Sequence, residues 1–154
     1  AETVVGVVLP VNAAVVVSLQ YVVGKRIRAE NLRRLMLLGT VFFLMGLAGF
    51  MMSGGNLWLW GLSAAVFTFG ELIYAPGEYM LVDNIAPNGL KASYFSAQSL
   101  GWLGGALNPL VTGVILTHLP PWSLFAILMV ATAGAYLLML KGMRAPRAAV
   151  SDYA

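Results

Sequence analysis

Two stretches of this chain run uncharged for longer than a water-soluble fold tolerates: Leu35–Gly70, 36 residues, and Ala92–Leu140, 49 residues. A helix of about 20 apolar residues crosses the hydrocarbon of a bilayer, and an apolar run of about 18 or more reads as such a span. Thr3–Leu9 and Val11–Val23 are uncharged as well. Composition agrees: 60% of the residues are hydrophobic and 10% charged, against roughly 25% charged in soluble domains. A soluble domain, a disordered tail and a nucleic-acid binder are excluded. The net charge of +3 is no nucleic-acid signal, because the basic residues lie between apolar runs, where they orient a membrane protein.

Glycine, proline and charge clusters divide the chain into five predicted spans, about 3–23, 35–52, 57–82, 92–117 and 122–140, followed by a tail over 141–154. The expected fold class is all-α, a polytopic membrane helix bundle. Lys25, Arg26, Arg28, Arg33 and Arg34 crowd the loop after the first span, with Glu30 their one acid. Asp83 and Lys91 flank the loop after the third, and Lys141, Arg144 and Arg147 follow the fifth. Positive charge stays cytoplasmic, which puts these three segments, and the C-terminus, inside and the N-terminus outside. The opening Ala1-Glu2-Thr3 has no methionine and no basic stretch, so the first run does not read as a secretory signal. The chain is expected to be part of a larger membrane protein. It has no cysteine and one histidine, His118, so neither a metal centre nor a cofactor is expected.

The spans differ in polarity. The second and fifth are almost purely apolar and are expected to face lipid; the third and fourth, rich in glycine and polar groups, are expected to face protein or a water-filled cavity. Glu71 lies 14 residues after Leu57, about 21 Å along a helix of about 39 Å, close to the membrane midplane. Projected as a helix, Trp60, Ala64, Phe67, Glu71, Tyr74 and Glu78 form one stripe, with Asp83 off it. An ionisable group at that depth is costly, and it marks either a functional site or an ion pair that staples two helices. Glu71 and Glu78 are therefore candidate proton-coupling groups, with Trp60, Phe67, Tyr74, Gln98 and Asn108 as candidate cavity residues. Ala75-Pro76-Gly77 between the two acids predicts a kink, static or gating. Ala97, Gly101, Gly105, Pro109 and Gly113, four residues apart, predict a face on which another helix packs closely. A leucine at Gly101 or Gly105 is accordingly expected to disturb packing, and one at Gly46 to be mild. Asn12, Ser18 and Gln20 are polar without informative spacing.

The run "GELIYAPGEYMLVDNIAPNGLKASYFSAQSLGWLGGALNPLVTG", Gly70 to Gly113, together with the basic loop Gly24–Arg34, resembles the C-terminal half of a major facilitator superfamily transporter. The likeness covers essentially the whole chain, as helices eight to twelve of twelve, and is nearest to the drug/proton antiporter family and its MdtH-like multidrug-resistance branch. The basic loop lacks the aspartate of that family's loop motif, and Asn108 and Thr112 stand where glycines are usual. The resemblance implies a partial C-terminal transmembrane domain over 1–154 and a missing N-terminal half. It further implies a bacterial inner membrane and proton-coupled efflux of drugs or small amphipathic molecules, with no enzymatic activity. The rival reading is a membrane scaffold or assembly subunit that does not transport. Protons, a small-molecule substrate and the lipid bilayer are the partners expected, and nucleic acid is not.

Overall fold

The computed structural model describes residues 2–144, and among them every regular element is helical. Five stretches are long and apolar enough to cross a membrane. Helix α1 covers Glu2–Gly24, α2 Leu32–Ser53, α3 Leu57–Ile85, α4 Lys91–Ser99, α5 Gly101–His118 and α6 Trp122–Arg144, with a 3-10 turn at Ala29–Asn31. The last part of the predicted tail, 145–154 with Arg147, lies outside the described residues.

Three boundaries differ from the sequence reading. Arg33 and Arg34 stand in the first turn of α2 rather than in a loop, and Asp83 in the last turns of α3. The fourth span is two helices. Around Leu100 the backbone bonds tighten from four residues to three, Leu100 N–H donating to the Ala97 carbonyl (3.1 Å) and Leu103 N–H to that of Leu100 (3.0 Å). The Ser99 hydroxyl takes the Phe95 carbonyl at 2.9 Å on the same turn.

Helix α3 is the centre of the bundle, with α1 on one side and α2 on the other, and α6 lies on α2. Close approach of α2 and α3 rests on glycine. A methyl group at Gly46 would lie 2.6 Å from Phe67 Cβ and 2.9 Å from its Cα, and one at Gly70 would lie 3.0 Å from the Gly39 carbonyl oxygen. Gly39, Gly46 and Ser53 on α2, and Ser63, Gly70 and Gly77 on α3, are buried at seven-residue intervals. That is the period of a left-handed antiparallel seam, and small residues along it let the backbones meet. The expectation that the second span merely faces lipid is thereby corrected: one face of α2 is the main packing surface, while Leu37, Leu38, Val41 and Met45 on the other are exposed.

At the end of the bundle that carries the basic loop, Leu32, Met36 and Leu81 form the core, flanked by Tyr136, Met139 and Met143 of α6. Met36 is fully buried, and its sulfur occupies the space a side chain at Gly77 would need. Helix α3 continues unbroken through Pro76, so here Gly77 serves packing. At the opposite end the core is aromatic, with Phe50 against Trp60, Phe67 and Phe125. Thr40, Ser53, Ser63 and Thr68 each donate to the carbonyl four residues earlier, which satisfies hydroxyls that have no water to turn to.

Helix α5 makes few contacts, and Gly101, Gly105 and Gly113 face open space. The predicted close helix packing on the Ala97–Gly113 face is not made by any element described here. Gly46→Leu should therefore destabilise the chain by about 3 kcal/mol through overpacking of the α2–α3 seam, whereas Gly105→Leu should stay within about 0.5 kcal/mol. Thermal unfolding of the two variants of this chain in detergent checks the order, which reverses the one expected from sequence.

Candidate functional site

A polar cluster joins α1 to α3 inside the apolar bundle. The Asn12 amide nitrogen donates to Glu71 Oε2 at 2.7 Å and to Thr68 Oγ1 at 2.9 Å, and the Thr68 hydroxyl donates to the Ala64 carbonyl at 2.7 Å. The chain of bonds has a direction. Thr68 has spent its one hydrogen on Ala64, so its oxygen can only accept, and the group facing it must be the Asn12 amide N–H. The same nitrogen then presents its second hydrogen to Glu71, whose Oε2 is held as an acceptor. Thr68 is almost wholly buried, at 1% exposure, and Asn12 and Glu71 are half-buried.

Why these residues meet follows from the helices. Glu71 and Thr68 are three apart on α3 and share a face. Val7 and Val11 of α1 pack over Gly61, one and a half to two turns before Thr68, so α1 runs parallel to α3 at close range and Asn12 comes level with the pair. Among the described residues no lysine, arginine or histidine pairs with Glu71; the one ion pair is Lys91 with Asp83 across the α3–α4 turn, and it is exposed. Such a surface pair contributes at most about 1 kcal/mol.

The predicted stripe on α3 divides between two neighbours. Its rings turn to α2: Phe67 packs on Phe43 with centroids 4.8 Å apart, Tyr74 meets Phe43 edge-on at 5.4 Å, and Trp60 stacks on Phe50 at 5.3 Å while donating its indole N–H to the Gly54 carbonyl. Glu71 turns to α1. Glu78, Gln98, Gly101 and Gly105 line a separate cavity of about 500 Å³ between α3 and the α4–α5 pair. Asn108 stands away from it on α5 and accepts from the Thr112 hydroxyl at 3.0 Å. Ala97, Pro109 and Gly113 are exposed. In the basic loop, the Lys25 ammonium sits 3.9 Å over the Tyr21 ring, and Arg26, Arg28, Arg33 and Arg34 are exposed. Asp83 takes Lys91 rather than any of these as its partner.

Asn12 and Thr68 were not singled out as site residues from sequence. Thr68 had a signal, its place one turn before a midplane acid. Asn12 had none beyond being an amide in an apolar span, because its partner is 59 residues away.

The cluster makes a thermodynamic prediction. Asn12→Leu should cost about 1–2 kcal/mol by leaving Glu71 and Thr68 without their donor. Most of that cost should vanish in a Glu71→Leu, Thr68→Val background, where no acceptor is left to lose its donor. A double-mutant cycle on thermal unfolding measures it, and equal costs in the two backgrounds would show that the bonds contribute nothing.

Comparison with known proteins follows the same direction. The chain is 67% identical over 145 residues to a protein of Escherichia coli (strain K12) named as an MFS-type transporter, YdeE; the alignment takes in 94% of this chain and 37% of that protein. It is 30% identical over 111 residues to an MFS-type transporter of Bacillus subtilis (strain 168), YqjV, covering 72% of this chain and 27% of that one. The chain thus spans little more than a third of the length of the first of these relatives and about a quarter of the second. No family model and no solved structure matches it.

Proposed function

We propose, from the premise that this chain is a segment of a major facilitator superfamily transporter, that it supplies the C-terminal part of a proton-coupled carrier of small amphipathic molecules and that Glu71 is the proton site. The observation that carries the reading is an acidic group at mid-helix depth, held by a neutral amide of a neighbouring helix instead of by a cation. A staple would be served better by an ion pair. A proton site needs a carboxylate whose two states are both tolerated, and an amide partner tolerates both.

Protonation also changes the hold between helices. To the carboxylate, the Asn12 N–H makes a charge-assisted bond, roughly twice as strong as the bond to a neutral acid. Binding a proton at Glu71 weakens the α1–α3 tie, and only such a difference between two states lets a ligand bias a conformational equilibrium. Rocking of this bundle against the rest of the protein then exposes Glu71 to alternate sides of the membrane. The basic loop and the end of α6, with Lys141 and Arg144 in its last turn, face the cytoplasm of a bacterial inner membrane. Outward movement of drugs is the direction in keeping with the antiporter resemblance.

In the full-length protein, Glu71→Gln should reduce pH-gradient-driven dye movement to the level of empty vesicles while leaving thermal unfolding within about 1 kcal/mol, because glutamine still accepts from Asn12. The assay is everted vesicles energised by a pH gradient, with a panel of fluorescent amphipathic dyes of either charge. Transport that survives the substitution while thermal stability drops would make Glu71 a staple and remove the proposal.

A further inference from the structure

Helix α6 meets the Leu32–Met36 core through Tyr136, Met139 and Met143. Projected at about 100° per residue, Gly134, Leu137, Leu138, Lys141 and Arg144 fall on the opposite side of the same helix. A space of about 470 Å³ lies against these five residues and Leu140. Leu137 and Leu138 are 59% and 69% exposed, and a side chain at Gly134 would meet nothing within 4 Å. The face is thus an open notch between two leucines that ends in two cations. Lys141 stands about 10 Å beyond Gly134 along the helix and Arg144 about 4.5 Å further, at the end of the bundle that carries the basic loop.

Both cations lack a counter-charge. Among the described residues the one ion pair is Lys91 with Asp83, and α6 holds no acid between Trp122 and Arg144. Positive charge in the last turn of a helix opposes its dipole and holds that end at the membrane surface, which accounts for basic residues there. It does not account for two that converge above an apolar notch. Arg33 and Arg34 in the first turn of α2 give the contrast, at the same end of the bundle and with the same charge. Adjacent positions on a helix point about 100° apart and do not close on one anion, whereas positions three apart do.

We infer that this face of α6 binds one anionic phospholipid, its phosphate between Lys141 and Arg144 and one acyl chain laid over Gly134 between Leu137 and Leu138. The guanidinium fork takes two phosphate oxygens and the ammonium acts as a point charge beside them. Both stems are long and apolar enough to follow the chain toward the interface. A zwitterionic lipid fits less well, since its own ammonium would sit beside two cations with no acid to receive it. A free phosphate leaves the leucines bare and makes no use of the notch. The inference rests on α6 alone and needs neither the proton site nor the transport reading.

The test uses the full-length protein in detergent, with retained lipid counted by native mass spectrometry. The probes are phosphatidylglycerol, phosphatidylcholine with the same chains, and inorganic phosphate. Phosphatidylglycerol should bind at least about tenfold more tightly than phosphatidylcholine. Lys141→Gln with Arg144→Gln should erase that preference. Arg33→Gln with Arg34→Gln removes equal charge and should change it by no more than about twofold. Gly134→Leu should weaken phosphatidylglycerol by about threefold or more, because it fills the notch without altering charge. Equal retention of the two lipids, or an undiminished affinity in Gly134→Leu, would overturn the site. Equal losses in the two double variants would overturn it too, reducing it to diffuse surface charge. Displacement of the lipid by inorganic phosphate at matching concentration would assign the cations to a free anion. A dimer without bound lipid, dissociated by Gly134→Leu, would assign the face to a second copy. Either result also overturns the lipid site. If the Lys141 and Arg144 variant does not fold, Gly134→Leu and the contrast between the two lipids on the unaltered protein decide.

Discussion

The approach of α2 to α3 is set by what is missing from their facing surfaces. In lipid, two apolar helices gain little by hiding from solvent, since the tails around them are as apolar as leucine. What binds them is van der Waals contact, and that contact is dense only where backbones can meet. Gly46 against Phe67 and Gly70 against the Gly39 carbonyl provide such meetings, and Met36 fills the notch left by Gly77. With α3 held in this way, its remaining surfaces are presented to α1 and to the α4–α5 pair, and both polar features of the molecule lie on those surfaces.

The Asn12–Thr68–Glu71 cluster illustrates how a membrane protein pairs the polar groups it places between apolar helices. Each hydrogen is assigned: Thr68 to a carbonyl, Asn12 to Thr68 and to Glu71. The arrangement is tolerant in one respect. An amide neither requires the acid to be charged nor forbids it, which is the property that separates a site able to exchange a proton from an ion pair that locks two helices.

Much of the outline was legible in the residues. Five spans and the basic loop follow from runs of uncharged residues and from where the charges cluster, and the relatives named as MFS-type transporters agree with the resemblance carried by Gly70–Gly113. The main seam was not legible in the same way. Reading polarity, one sends apolar α2 to lipid, yet one face of α2 makes the main seam with α3. The seven-residue spacing of Gly39, Gly46 and Ser53 was present as a clue, and so was that of Ser63, Gly70 and Gly77. Each is meaningful only when the other is laid against it.

Hydrophobicity and length by themselves determined that this chain has five stretches able to span a membrane, because that is a property of each segment and its solvent. Tertiary structure alone decided that Phe67 and Tyr74 turn to α2 while Glu71 turns to α1, that Glu78 shares a cavity with Phe95 and Trp102, and that Asn12 holds Glu71. The physical reason is that a stripe on a helix is broad enough to serve two neighbours, and periodicity cannot say which edge meets which partner. That choice is made by the shapes of two surfaces at once, and neither surface carries it alone.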